Sequence, residues 1–182
     1  THKTTQSEPI GLEIHGSDFA FNHPGFVGNT TFYHYRLINK NTLPLTEAYF
    51  SLYTDMDLGN FDDDYVGSDS SLHLGFAYNA DNNDEGNEGY GKAPPAIGFT
   101  FLETIVSDAD RLDNDRDGET DEHGEMLGTS SFMLFWSGGD VDGDPSTGSH
   151  YYNLMQAQWK DESRVFLGAS GYNWQLSDGR YH

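Results

Sequence analysis

Cysteine is absent from this chain of 182 residues. That excludes a disulfide scaffold, a thiolate zinc site and a cysteine nucleophile. It does not argue against export. Basic residues are scarce, with 9 Lys and Arg against 30 Asp and Glu, for a formal net charge of −21. Phosphate contacts need Lys and Arg, so the charge argues against a nucleic-acid partner, and an anionic membrane surface is excluded on the same ground. No apolar run approaches the ~20 residues that span a bilayer, so no membrane insertion is expected. No signal peptide is visible. The chain opens on Thr1 rather than Met, as a processed or partial chain would.

What is present points to β-structure. The 12 Phe, 11 Tyr, 3 Trp and 21 Gly favour strands joined by many turns. Ile10, Leu12 and Ile14, then Phe19 and Phe21, recur at every second residue, and His23-Pro24-Gly25 turns the chain. The spacing predicts further strands over 30–39, 45–54, 72–78, 96–102 and 131–136, with late strands at 165–167 and 172–176. Tyr152, Met155 and Trp159 fall at i, i+3 and i+7 after Ser149, which predicts one helix over about 150–160 capped by Ser149. No fixed-period repeat or low-complexity linker is seen, so one domain over 1–182 is expected. Residues 1–8 are polar and read as a flexible lead or an exchanged strand.

The acids are not scattered. Residues 55–69, 81–88, 108–125 and 140–144 hold 22 of the 30. A surface adapted to salt would spread its charge, whereas clusters in Gly- and Asn-rich loops favour ion sites. The strongest run is 113–122. Asp113, Asp115, Asp117 and Asp121 occupy positions 1, 3, 5 and 9 of a loop, with Gly118 at position 6. That pattern suits a hard cation seeking six to eight oxygen ligands, and calcium fits best. The main-chain carbonyl of Glu119 would serve at position 7. Position 12, where an EF-hand carries a bidentate Glu, is Gly124, so the loop is not an EF-hand. Glu122 would supply the bidentate ligand instead, and Asp108 or Asp110 would reach back as a further ligand.

Two shorter runs repeat the theme. Asp55, Asp57 and Asp63 lie in a segment that ends in three adjacent aspartates, whose repulsion a cation would offset. Asp69 is an extra candidate there. Asp140, Asp142 and Asp144 alternate at i, i+2 and i+4, although Asp144 before Pro145 could equally begin a turn into the helix. The fourth run, Asp81-Asn82-Asn83-Asp84-Glu85, lacks clean spacing and reads first as a mobile loop. None of the eight histidines makes an HxH or HxxxH pair, and Gly168-Ala169-Ser170-Gly171 lacks the nucleophile-elbow spacing. Tyr33, Tyr35, Tyr49, Tyr53, Tyr151, Tyr152, Trp159 and Trp174 are either a sugar-stacking platform or ordinary packing, and the sequence does not separate the two.

Several phrases form a set: Glu47 to Gly59, Asp63-Asp64-Tyr65-Val66-Gly67, Gly75-Phe76-Ala77-Tyr78-Asn79, Pro94-Pro95-Ala96-Ile97-Gly98, and Gly143-Asp144-Pro145 before Tyr151-Tyr152-Asn153. Over roughly residues 11–160 the set resembles a family of uncharacterised secreted proteins from Bacteroidota and related phyla, commonly large surface proteins that end in a type IX secretion sorting domain. The resemblance implies export and a surface or matrix location, and it implies no activity. This chain departs from the family in carrying no visible sorting domain after Ser177-Asp178-Gly179, as a cleaved chain or a fragment would.

The sequence therefore leads to an all-β expectation: an antiparallel, jelly-roll-like β-sandwich with one short helix and long acidic calcium-binding loops. The expected function is non-enzymatic. It is a calcium-binding extracellular structural or adhesive protein holding more than one Ca2+, a subunit of a surface fibre or matrix. Strand exchange at the N-terminal segment would drive self-assembly. The rival readings are a calcium-stabilised carbohydrate-binding module with a glycan partner and, behind it, a glycan hydrolase domain.

Overall fold

The computed structural model describes residues 3, 5–69, 71–106, 111, 113, 118–129, 131–135, 137–138 and 140–165. Among these the chain is mostly β, with antiparallel pairing in every sheet and one short helix. No helix there is long and apolar enough to cross a membrane.

The first sheet is a two-stranded ribbon. Strand β1 (Leu12–Ala20) pairs with β2 (Thr31–Asn39) from Leu12 opposite Asn39 to Ala20 opposite Thr31. Phe19 and Phe32 are direct cross-strand partners, and their rings stack at 5.3 Å. Such a pair contributes about 0.2–1 kcal/mol beyond alanine. Phe21 meets both rings edge-on.

The second sheet positions the site. It runs β3 (Asp64–Asp69), β4 (Leu74–Asn79), β7 (Ala96–Thr100), with β4 in the centre. Ala77, on that central strand, is fully buried. A 3-10 turn over Phe61–Asp63 leads into β3, and Asp63 O accepts from Ala80 N at 2.9 Å, one step beyond the ladder. The third sheet is a minimal hairpin of β5 (Asn83–Asp84) and β6 (Gly91–Lys92).

Helix α1 (Gly148–Met155) starts and stops earlier than the sequence suggests. Its cap is Thr147, whose hydroxyl accepts from His150 N at 3.2 Å, and not Ser149. The helix ends because Ala157 enters the left-handed region at φ 57, and the chain then folds back through a bridge between Gln158 and Arg164. Gly148 N donates to Thr5 O at 2.9 Å, which ties the start of the chain to the start of the helix.

Three expectations need correction. Residues 45–54 do not join a ladder. Glu47 at φ 52 breaks the strand, and the segment packs through its rings instead: Phe50 on Tyr35, Tyr49 on Tyr152, Tyr53 on Phe135. Residues 131–135 are likewise outside any strand, although Phe132 lies over Gly75 of β4. Residues 81–85, read as a mobile loop, contain β5 and a buried aspartate. The late strands expected at 165–167 and 172–176 lie, except for Val165, outside the described residues.

Apolar burial is sparse among the described residues. Leu58, Ala77 and Leu154 are the buried hydrophobic side chains, while Phe26, Leu43 and Leu102 are largely exposed.

Candidate metal centre

The 107–125 loop is pinned at its base. Val106 and Met126 form an isolated antiparallel bridge, and Leu127 N donates to Ile105 O at 2.9 Å. Inside the loop, Gly118 N donates to the Asp113 carboxylate at 3.0 Å. Gly118 sits at φ 105, which a side chain would oppose. Position 6 of the run therefore closes back on position 1. Arg111 N donates to Asp121 Oδ1 at 2.7 Å, and Glu125 N to Glu122 O at 3.1 Å. Glu119 is exposed, whereas Glu125 is only 2% exposed. Asp108, Asp110, Asp115 and Asp117 lie outside the described residues.

Charges of the second and third runs both act on Tyr53. Burial first, then the charges of Asp55 and Asp144, hold the Tyr53 hydroxyl above its ordinary pKa. Two aspartates far apart in sequence thus act electrostatically on one exposed residue. Asp144 also accepts from Gly138 N at 3.0 Å. Among the described residues, no hydrogen bond or ion pair joins Asp140 or Asp142 to Asp55 or Asp144. Gly143 N reaches Asp140 O at 3.5 Å, and the Lys160 ammonium donates to Asp144 O at 3.4 Å. A lysine at that carbonyl already supplies positive charge there.

The tightest acidic arrangement joins Asp64 of the second run and Asp84 of the fourth to Asn79, which lies outside the runs. Asp64 opens β3 and stands directly opposite Asn79, the last residue of β4. Asp64 Oδ2 accepts from Leu58 N at 2.8 Å. Asp84, 2% exposed, clamps two segments: Oδ1 accepts from Asn60 N at 3.1 Å and Oδ2 from Tyr90 N at 2.7 Å. Gly59 makes room for it. A Cβ at Gly59 would collide with Asp84 Oδ2, and the residue has φ 78. The Asp64 carboxyl is pushed above the usual carboxylate range, chiefly by burial, then by the charges of Asp63, Asp84 and Asp57, against the lowering effect of the Leu58 N–H. Of the sequence candidates, Asp57 and Asp63 therefore do gather at one place, and Asp64, Asn79 and Asp84 join them. The available signal was the small-residue face Gly75, Ala77, Asn79, which places an amide at the end of a buried strand.

Among the described residues no ion pair reaches Asp57, Asp63, Asp64 or Asp84; the recorded pairs join Glu13 to His15 and Lys40 on the ribbon. Nor do three carboxylate or imidazole groups among the described residues converge into a ready-made metal cluster. An ion held here would also draw on amide oxygen and water, as calcium commonly does. Comparison with family models, with curated proteins and with solved structures gives no match to this chain.

Proposed function

We propose that the protein is a non-enzymatic, calcium-stabilised extracellular module with a structural or adhesive role, built as a jelly-roll-like β-sandwich and serving as a subunit of a surface fibre or matrix. The observation that carries the reading is the closure of Gly118 N onto the Asp113 carboxylate inside a loop with a bridged base. That closure brings position 6 back onto position 1, the kind of tight turn that a loop wrapped around a cation needs. The composition supports the same reading. With no cysteine and few buried apolar side chains among the described residues, cation cross-links offer a means of fixing long acidic loops. The resemblance to secreted surface proteins supports export. Assembly would use the N-terminal segment as an exchanged strand.

The mechanism is linkage. Calcium that binds the folded loops and not the unfolded chain stabilises by about 2.7 kcal/mol at a free concentration one hundred times its dissociation constant. The test is melting in calcium against melting in chelator. Calcium should raise the transition by several degrees, and Asp113→Asn should remove part of that gain. An unchanged transition would overturn the reading.

A second reading, glycan binding, is favoured by the Tyr53 site. Tyr53 is 65% exposed, its ring stacks on Phe135, and the charges of Asp55 and Asp144 act on its hydroxyl, which offers an aromatic face near acidic acceptors suited to a sugar. Binding on a glycan array would select it over a fibre subunit.

A further inference from the structure

At the end of the central sheet, three oxygen atoms are buried without a hydrogen-bond partner among the described residues: Asp63 Oδ1, Asp64 Oδ1 and Asn79 Oδ1. Each such atom is costly, because burial removes the water it would otherwise accept from. Asn79 is 6% exposed. Its amide orientation is not arbitrary. Nδ2 donates to Asp81 O at 3.3 Å, and turning the amide over would set two carbonyl-type oxygens against each other. Oδ1 therefore points away from Asp81. Asp64 and Asn79 are Cα partners, so their side chains leave the same face of the sheet. What they present together is acceptors only, amid the charges of Asp57, Asp63 and Asp84, with no cationic side chain paired to any of them among the described residues.

We propose that Asp64 and Asn79 hold a hard divalent cation, calcium, between the ends of β3 and β4, with Asp63 supplying a third oxygen and water completing the shell. The donor set is all oxygen, two carboxylates and an amide, which suits calcium and does not suit zinc or copper. Asp84 acts as a positioning residue. Its carboxylate pins Asn60 and Tyr90, so the ion's two strand ends, the 57–63 segment and the β5–β6 hairpin become one knot. This site differs from the 113–122 loop in kind. It is built across paired strands, so its occupancy would report on the sheet itself. It rests on the calcium reading above only for the identity of the ion.

One competitor satisfies the same oxygens without metal. A proton on Asp64 could be donated to Asn79 Oδ1. The two differ in what stabilises the knot, calcium at neutral pH or acid alone.

The test is hydrogen exchange followed by peptide, in calcium and in chelator at about pH 7, and in chelator at about pH 4, near the ordinary aspartate pKa. Calcium should slow exchange over 57–68 and 74–84, and Asp64→Asn should weaken calcium binding at this site about tenfold or more. Asn79→Asp keeps the shape and adds a charge, so it should widen the gap between calcium and chelator; it serves if Asp64→Asn does not fold. Protection confined to 111–122 overturns this site and leaves the loop reading standing. Protection confined to 57–84 does the reverse. Protection of 57–84 that appears only in acid, with no response to calcium, assigns the oxygens to a shared proton and overturns the proposal.

Discussion

Gly59 tests the acidic knot one residue at a time. A methyl group there meets the positive φ of 78, the Asp84 carboxylate and the Tyr90 ring, whose Cδ2 would lie 2.9 Å away. Gly86 meets only the first, since φ is 90 and nothing lies within 4 Å of its Cβ position. Gly86→Ala should cost about 1 kcal/mol, the backbone strain alone. Gly59→Ala should cost more, about 2–4 kcal/mol, because Asp84 must also release Asn60 or Tyr90. Urea denaturation of both variants checks this, and equal losses would show that Asp84 is not held as described. At this scale the sequence disclosed the residue types but not their company. Asp57 and Asp63 were legible as acids near a strand end. Asp84 was legible only as one acid of the irregularly spaced run 81–85, and the partners that matter to it, Asn60 and Tyr90, lie in other segments. Asn79 was hidden for a related reason. An asparagine ending a strand reads as a turn residue until its strand partner is known to be an aspartate.

At the scale of elements, period-two alternation found β1, β2, β4 and β7 because each carries bulky residues at regular intervals. It missed β3. Asp64 and Asp69 bound that strand, and Gly67 and Ser68 are weak strand formers. The structure compensates by laying the Phe76 ring over Gly67, its direct partner, so that the missing side chain is replaced from the next strand. The opposite error, a strand expected over 45–54, came from a segment with good alternation and no available ladder. Alternation reports which faces are apolar and cannot report whether a neighbouring edge is open. The helix shows how a cap is chosen by geometry. Ser149 and Thr147 are both competent, but Thr147 has the extended backbone of a cap at φ −132, ψ 162, and its hydroxyl reaches the third helical N–H. Thr147→Ala should therefore lower stability by about 1 kcal/mol, while Ser149→Ala, on the exposed first turn, should stay within about 0.5 kcal/mol. Thermal melts of the two single variants measure the difference, and a larger loss at Ser149 would restore the cap read from sequence.

At the scale of the whole molecule, a net charge of −21 makes two explanations of any calcium effect compete. Added ions screen self-repulsion, which relieves a compact acidic chain without binding it. Bound ions act by mass action and are lost on unfolding. Concentration dependence separates them. Screening follows ionic strength, so sodium and calcium salts matched in ionic strength should act nearly alike once the screening length falls to about 8–10 Å, near 0.10–0.15 M. Mass action follows the logarithm of free calcium. Above saturation, each ion released on unfolding adds about 1.4 kcal/mol of stability per tenfold rise in calcium, at constant background salt. One ion in the 113–122 loop predicts a slope of about 1.4. A second at the Asp64–Asn79 junction predicts about 2.7, falling back toward 1.4 in Asp64→Asn. The measurement is unfolding free energy against calcium concentration in about 0.15 M sodium chloride, where screening is already saturated and cannot add to the slope. A zero slope there would mean that the clustered acids act as a solvated surface. A slope of about 2.7 would mean that two different architectures, a folded-back loop and a strand-end knot, draw their stability from the same ion.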